Sequence, residues 1–88
     1  MKTFKEYDEA CLIFDKFPGL DKRFLKLVEE IGELIQCHNK NFSNEERIGE
    51  LGDILFQLSC LARYHGWGLE EVAEYNYKKL SYREEFGR

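Results

Sequence analysis

Residues 51–62 read Leu-Gly-Asp-Ile-Leu-Phe-Gln-Leu-Ser-Cys-Leu-Ala, a long and mostly apolar stretch. In an α-helix its apolar side chains wrap most of the circumference, and a helix of this kind is expected to be buried on nearly all sides. Ser43 and Glu46 form a capping box that opens the helix, and His65-Gly66 marks its end. The stretch therefore predicts a long, buried helix.

Three other segments repeat apolar residues with the helical period, and no stretch alternates convincingly with the period of a β-strand. A capping box of Thr3 and Glu6 opens the first segment, and Asp21 is the predicted N-cap of the second. The predicted bounds are Thr3 to just before Phe17-Pro18-Gly19, Asp21 to about His38, and Gly68 to about Glu85. The apolar face of the second helix consists of Phe24, Leu27, Val28, Ile31, Leu34 and Ile35. Four amphipathic helices with short connections predict an all-α fold, a four-helix bundle.

Length and composition predict one domain over residues 1–88. A domain of this size buries only ~60–65% of its unfolded surface, so oligomerisation is a natural way to complete it. Apolar residues make up 43% and charged residues 34%, which is typical of a globular protein. No run is long enough to span a membrane and the N-terminus has no apolar signal segment, so we expect a soluble, cytoplasmic protein.

Charge and cysteine usage narrow the classes of partner. The formal net charge is -4 and the sequence has no basic cluster, which argues against a nucleic-acid polymer as partner. An acidic chain favours cations, or anions that arrive together with cations. The 3 cysteines lack the spacing of a zinc site and are odd in number, so they predict free, mostly buried thiols.

Acidic residues fall into two groups within the helical segments, Glu29, Glu30 and Glu33 in the second helix and Glu50 and Asp53 in the third. A three-residue step places two carboxylates about one turn apart on the same side of a helix. Like charges arranged in this way repel one another unless a cation lies between them. The spacing therefore predicts two half-sites for a divalent metal, one on each helix.

The predicted metal site depends mainly on Asp53, because the acidic group of the second helix alone would be ordinary on a solvated helix face. Asp53 is the only carboxylate between Leu51 and Ala62, and no Lys or Arg lies one turn away. A lone buried carboxylate is costly unless it is paired or bound to a metal. Carboxylates without His or Cys partners select a hard ion such as magnesium or manganese, which commonly also binds substrate phosphates.

Three motifs occur in a fixed order: Glu-Glu-x-x-Glu at 29–33, Glu-x-x-Asp at 50–53, and Asn76-Tyr-Lys-Lys-Leu-Ser-Tyr-Arg83. From roughly Phe24 to Phe86 the chain resembles the MazG-like all-α nucleoside triphosphate pyrophosphohydrolases. The resemblance implies hydrolysis of a nucleoside triphosphate between the α and β phosphates, with a monophosphate and pyrophosphate as products. It also implies magnesium as cofactor and a homodimer or homotetramer.

The same resemblance implies roles for single residues. Carried over by position, the metal ligands are Glu30, Glu33, Glu50 and Asp53. Glu29 and Glu30 are the predicted catalytic carboxylates, and Glu29 either binds a second metal or orients the attacking water. The predicted substrate-binding residues are Lys26, Asn76, Lys79 and Arg83. The chain departs from the family in opening its last helix with Gly68 instead of an acidic or hydroxyl cap.

Two alternatives accompany this prediction. A related all-α pyrophosphatase acting on phosphoribosyl-ATP or on a nucleotide alarmone would share the metal site and differ in its base pocket. A non-enzymatic helical binding or regulatory module would use the acidic patch to contact a partner. Release of pyrophosphate from a nucleotide distinguishes the enzymes from the binding module.

Overall fold

The computed structural model describes residues 1–16 and 19–87 as helices and their connections, with no β-strand among them. The four helices are α1 (Phe4–Leu12), α2 (Leu20–Asn39), α3 (Asn44–Tyr64) and α4 (Leu69–Phe86). The predicted all-α, four-helix architecture is confirmed. α1 ends at Leu12, which lies before Phe17-Pro18-Gly19 as predicted. Phe17 and Pro18 lie outside the described residues.

Two helices begin where their capping residues predict. At the start of α3 the Ser43 hydroxyl accepts a hydrogen bond from the Glu46 N–H (3.2 Å), and the Glu46 carboxylate accepts one from the Ser43 N–H (3.1 Å). At the start of α1 the Thr3 hydroxyl accepts from the Glu6 N–H at 3.1 Å and donates to the Glu6 carboxylate. Side chains therefore bind N–H groups that the first helical turn leaves without partners.

The predicted N-cap of α2 is wrong. Asp21 lies inside the first turn, and Gly19 takes the cap position. Its φ of 102° suits glycine, and Gly19 makes no side-chain hydrogen bond to the first turn. Asp21 still places a negative charge at the positive end of the helix dipole. Asp21 is thus the second residue of α2, two positions after the cap.

The α4 helix has a cap that comes from another helix. Gly68 offers no side chain, as expected, but one carboxylate oxygen of Asp8 in α1 accepts a hydrogen bond from the Leu69 N–H at 2.6 Å. The other oxygen accepts from the Ser59 hydroxyl of α3, also at 2.6 Å. Asp8 thereby ties three helices together around the buried Ser59.

A second polar network joins the end of α1 to the core. Asp15 accepts hydrogen bonds from the guanidinium groups of Arg23 in α2 and Arg63 in α3. Burial opposes ionisation of Asp15, but the two arginines outweigh it and lower the pKa of its carboxyl group. Arg23 is itself buried and donates to the Gln57 side chain at 3.3 Å. This network holds the segment after α1 against the α2–α3 pair.

The apolar core of the single chain is small. α2 and α3 form the most extensive helix pair, and α1 and α4 pack against α3 and each other. Among the described residues the buried apolar ones are Cys11, Cys37, Cys60, Ala62 and Leu69, and all three cysteines are free thiols, as predicted. No helix among the described residues is both long and apolar enough to cross a bilayer.

Much of the predicted apolar surface remains exposed. The expectation that α3 is buried on nearly all sides is wrong for the single chain, because Ile48, Leu51 and Leu58 are exposed. The predicted apolar face of α2 divides: Leu27 and Leu34 are half-buried, whereas Phe24, Val28, Ile31 and Ile35 are exposed. The two helices therefore present large apolar faces that nothing in the described chain covers.

Candidate metal centre

Four carboxylates from two helices meet on one side of the α2–α3 pair. Each of Glu30 and Glu33 from α2 and Glu50 and Asp53 from α3 offers one oxygen, and these oxygens all lie within 4.8 Å of one another. The three-residue steps on each helix make this possible, because each step keeps both carboxylates on the face that meets the other helix. We call these four residues the carboxylate cluster.

Burial makes the charge of the carboxylate cluster costly. Glu30 and Glu50 are half-buried, and one oxygen of each is buried without a hydrogen-bond partner. Burial, reinforced by the charges of Glu33 and Asp53, raises the pKa of Glu30 to about 7. Burial and the Glu33 carboxylate raise the pKa of Glu50 as well. Without a cation, the protein thus holds negative charges that neither water nor protein donors stabilise fully.

The donor set fits a hard divalent cation. All four donors are carboxylate oxygens, and none of them pairs with a Lys or Arg among the described residues. Burial and the Glu50 charge raise the pKa of the nearby Cys37 thiol, and a hard cation prefers the carboxylate oxygens to sulfur. The cluster therefore suits a metal ion bound through carboxylate oxygens, two of which are buried without a hydrogen-bond partner.

Asp53 differs from its prediction in one respect. It belongs to the carboxylate cluster, but its side chain is exposed, whereas the apolar sequence around it predicts burial. Asp53 opens onto a cleft between the helices, and neighbouring Leu51 is exposed as well. Asp53 is therefore not a buried charge in the single chain that only a metal could compensate. The buried oxygens of Glu30 and Glu50 that lack partners favour a bound cation instead.

Glu29 and Lys26 lie beside the carboxylate cluster. Glu29 is exposed, is not one of the four converging residues, and forms an ion pair with Lys26 at 3.6 Å. Lys26 also lines the cleft that Asp53 borders. The structure thus keeps Glu29 apart from the four cluster oxygens and places a cation beside the cluster.

The three predicted substrate residues of α4 are exposed and lie on a different surface. Lys79 and Arg83 line a groove of about 420 Å³, together with Tyr75, Lys78 and Tyr82. Asn76 is exposed on the same helix. No hydrogen bond or ion pair joins Asn76, Lys79 or Arg83 to the carboxylate cluster in the described chain, and α4 does not contact α2. Their binding of phosphate stays a prediction.

The cleft beside the carboxylate cluster contains residues that the motifs did not reveal. It encloses about 260 Å³ and shares Glu30 and Asp53 with the cluster. Its other lining residues are Phe14, Arg23, Lys26, Phe56 and Gln57. The sequence held one signal for this cleft, since Gln57 is the only amide in the mostly apolar run of residues 51–62. Arg23 gave no signal, because its role depends on Asp15 and Gln57, which lie elsewhere in the chain.

Comparison with known proteins agrees with this geometry. The sequence model of the MazG nucleotide pyrophosphohydrolase domain matches residues 21–86, which include all four residues of the carboxylate cluster. The chain is also 39% identical, over 56 residues, to the histidine biosynthesis bifunctional protein HisIE of Lactococcus lactis subsp. lactis. That match covers 64% of this chain and 26% of the relative, so the chain spans about a quarter of the relative's length. No solved structure matched the chain.

The family match extends over three of the four helices, α2 to α4, and over every motif from which the resemblance was inferred. It confirms the predicted class of protein, a pyrophosphohydrolase domain with an all-α fold. The chain belongs to the MazG nucleotide pyrophosphohydrolase domain family.

Proposed function

We propose that this protein hydrolyses a nucleoside triphosphate between the α and β phosphates in a magnesium-dependent reaction, releasing a monophosphate and pyrophosphate. The observation that carries the proposal is the convergence of Glu30, Glu33, Glu50 and Asp53 within 4.8 Å, in a chain of this family. Magnesium binds carboxylates together with substrate phosphates and keeps several waters. Manganese is the expected substitute, because it prefers the same oxygen ligands.

The carboxylate cluster would hold the metal, which when bound offsets phosphate charge and makes a water molecule more nucleophilic. A water oxygen forms a bond to the α-phosphorus, and the bond from that phosphorus to the oxygen bridging to the β-phosphorus breaks. We assign acceptance of the water proton to Glu30, which is half-buried, or to the adjacent Glu29, which orients the water. Pyrophosphate leaves with the bridging oxygen.

Positive side chains would bind the phosphates. Lys26 lies one turn before Glu30 on α2 and would bind a phosphate beside the carboxylate cluster. Lys79 and Arg83, one turn apart on α4, suit a second phosphate, and Asn76 lies one turn earlier. Because α4 does not contact α2 within the chain, we propose that these α4 residues approach the cluster of a neighbouring subunit.

A homodimer or homotetramer is therefore part of the proposal. The chain exposes 7031 Å², which exceeds by roughly 1,600 Å² the ~5,400 Å² expected for a folded monomer of its 10.5 kDa mass. A typical specific interface buries about 800 Å² per partner. The exposed apolar faces of α2 and α3 are the natural surface for a second copy.

Phosphoribosyl-ATP is a second candidate substrate. The observation that favours it is the similarity to a relative described as a histidine biosynthesis protein. Such a substrate carries the same triphosphate and differs in the group on the adenine base. Both candidates therefore predict the same use of the carboxylate cluster and different use of the base pocket.

Phosphorus NMR of reaction mixtures tests the proposal directly. The protein is incubated with magnesium and a panel of ribo- and deoxynucleoside triphosphates together with phosphoribosyl-ATP, in water enriched in oxygen-18. We expect pyrophosphate, not orthophosphate, and the heavy oxygen in the monophosphate, because water attacks the α-phosphorus. Orthophosphate as the first product, or no turnover of any substrate with magnesium or manganese, would contradict the proposal.

A further inference from the structure

The cleft beside the carboxylate cluster has the size and walls of a site for one planar ring system. Its volume of about 260 Å³ lies just below the ~300–1,000 Å³ typical of complete ligand sites. It adjoins Glu30 and Asp53, so a ligand in the cleft would lie next to the metal. A group directly attached to the metal-bound phosphates fits this position better than a separate molecule.

Two phenylalanines line the cleft. The Phe56 ring packs against the Arg23 guanidinium, 5.6 Å from ring centroid to carbon, and that contact fixes its position. Phe14, just after α1, lines the cleft although 65% of its surface is exposed. An exposed aromatic ring beside a narrow cleft gains by stacking on a flat ligand. The two rings favour an aromatic heterocycle as the group that contacts them, and Lys26 in the same lining suits a phosphate attached to it.

Gln57 supplies a directed donor inside the cleft. It is only 5% exposed, and its side-chain oxygen accepts a hydrogen bond from Arg23 at 3.3 Å. Because a guanidinium group can only donate, this contact fixes the amide orientation and leaves the NH₂ group on the other side. That NH₂ group makes no hydrogen bond to any other described residue. The Gln57 side-chain nitrogen is not fully buried, so an acceptor on a ligand in the cleft would replace water as its partner.

We propose that this cleft binds the base of the nucleotide and that the Gln57 NH₂ group donates a hydrogen bond to a carbonyl oxygen of that base. The inference deepens the proposed function and rests on it for the position of the phosphates. Its consequence is a preference for bases that carry a carbonyl group, such as hypoxanthine, guanine or uracil. Adenine carries no carbonyl and presents an amino donor, which the Gln57 donor disfavours.

The inosine and adenosine triphosphates form a matched pair of probes, because they differ at the 6-position, carbonyl against amino, and share the phosphates. In Gln57→Glu the residue still accepts from Arg23 but loses its donor. We expect the native protein to have a higher kcat/KM for inosine triphosphate, and the ratio to fall about tenfold or more in Gln57→Glu. Any effect of the new charge on the metal cancels in this ratio. Gln36→Glu, at an exposed position of α2, should keep the native ratio.

Binding of the two monophosphates without metal gives a readout that does not need turnover. Calorimetry should show tighter binding of inosine monophosphate than of adenosine monophosphate to the native protein, and loss of that difference in Gln57→Glu and Gln57→Met. If no nucleotide is hydrolysed but this difference is found, the proposed function fails and the base site stands. An equal ratio in native protein and both folded Gln57 variants, or a native preference for adenine, overturns the inference.

Discussion

Glu30 shows at the scale of one residue how the site is charged. It is half-buried, one of its oxygens lacks a partner, and burial together with the charges of Glu33, Asp53 and Glu50 raises its pKa to about 7. A raised pKa means that the folded, metal-free protein binds the Glu30 proton more tightly than the unfolded chain does. Ionisation of Glu30 therefore opposes folding until a cation is present.

This property predicts how stability depends on pH. The cost is absent below the ordinary pKa of 4.5, grows as pH rises, and is complete above about 7. In a chelator, the melting temperature of the native protein should fall between pH 5 and pH 8 by more than that of Glu30→Gln. Glu29→Gln, outside the carboxylate cluster, should follow the native curve. Parallel curves for native and Glu30→Gln would show that Glu30 does not carry this charge penalty.

Added magnesium should act in the opposite direction. A cation bound only by the folded protein stabilises it by mass action, and most strongly at the pH where the carboxylates are ionised. We expect magnesium to raise the melting temperature of the native protein more at pH 8 than at pH 5. An increase in the native protein that is as large at pH 5 as at pH 8 would contradict this.

At the scale of the helix, the sequence predicts a helix start when the residue that caps it lies nearby in the chain. It does not predict a start that is capped by a distant residue. The N-caps at Thr3 and Ser43 each bond a residue three positions later, so both partners are visible in the sequence. The cap of α4 depends on Asp8, which precedes Leu69 by 61 residues. Nothing local to Gly68 indicates that partner.

The Asp8 contact predicts a measurable loss of stability. Asp8→Ala removes the acceptor for both the Leu69 N–H and the Ser59 hydroxyl, and should lower the free energy of unfolding by about 2 kcal/mol. Denaturant titration followed by circular dichroism measures this change. Glu9→Ala, the next residue on α1 and exposed, should change it by less than about 0.5 kcal/mol. Equal effects of the two substitutions would refute the cap.

The functional site likewise combines residues that are close in the sequence with residues that meet only in the fold. The pairs Glu30–Glu33 and Glu50–Asp53 were visible because each lies within one helical turn, and the helix pairing then brings them together. Arg23 and Gln57 of the cleft were missed because Asp15, Arg23 and Gln57 become neighbours only in the fold. The burial of Asp53 was predicted wrongly because an apolar helix was taken to be covered within its own chain.

At the scale of the whole molecule, the exposed apolar faces of α2 and α3 predict an oligomer. Val28→Lys places a charge on the exposed apolar face of α2, where a second copy would otherwise bury the side chain. Light scattering after gel filtration should find a dimer or tetramer for the native protein and a shift towards monomer for Val28→Lys. Gln36→Lys, at an exposed polar position of the same helix, should keep the native mass.

Activity of the Val28→Lys protein links the oligomer to the site. If Lys79 and Arg83 serve the carboxylate cluster of a neighbouring subunit, the monomeric variant should lose hydrolysis while keeping its helix content. A native protein that is monomeric and active at micromolar concentration would contradict both the interface and the proposed role of α4.

We propose that Glu30, Glu33, Glu50 and Asp53 together bind a divalent metal. Electron paramagnetic resonance of free manganese, titrated with protein, measures that binding without any substrate. We expect saturable manganese binding that magnesium displaces. Binding should be at least about tenfold weaker in Asp53→Asn and unchanged in Glu45→Gln, which alters an exposed carboxylate of the same helix. Equal manganese binding by the native protein and Asp53→Asn would contradict it.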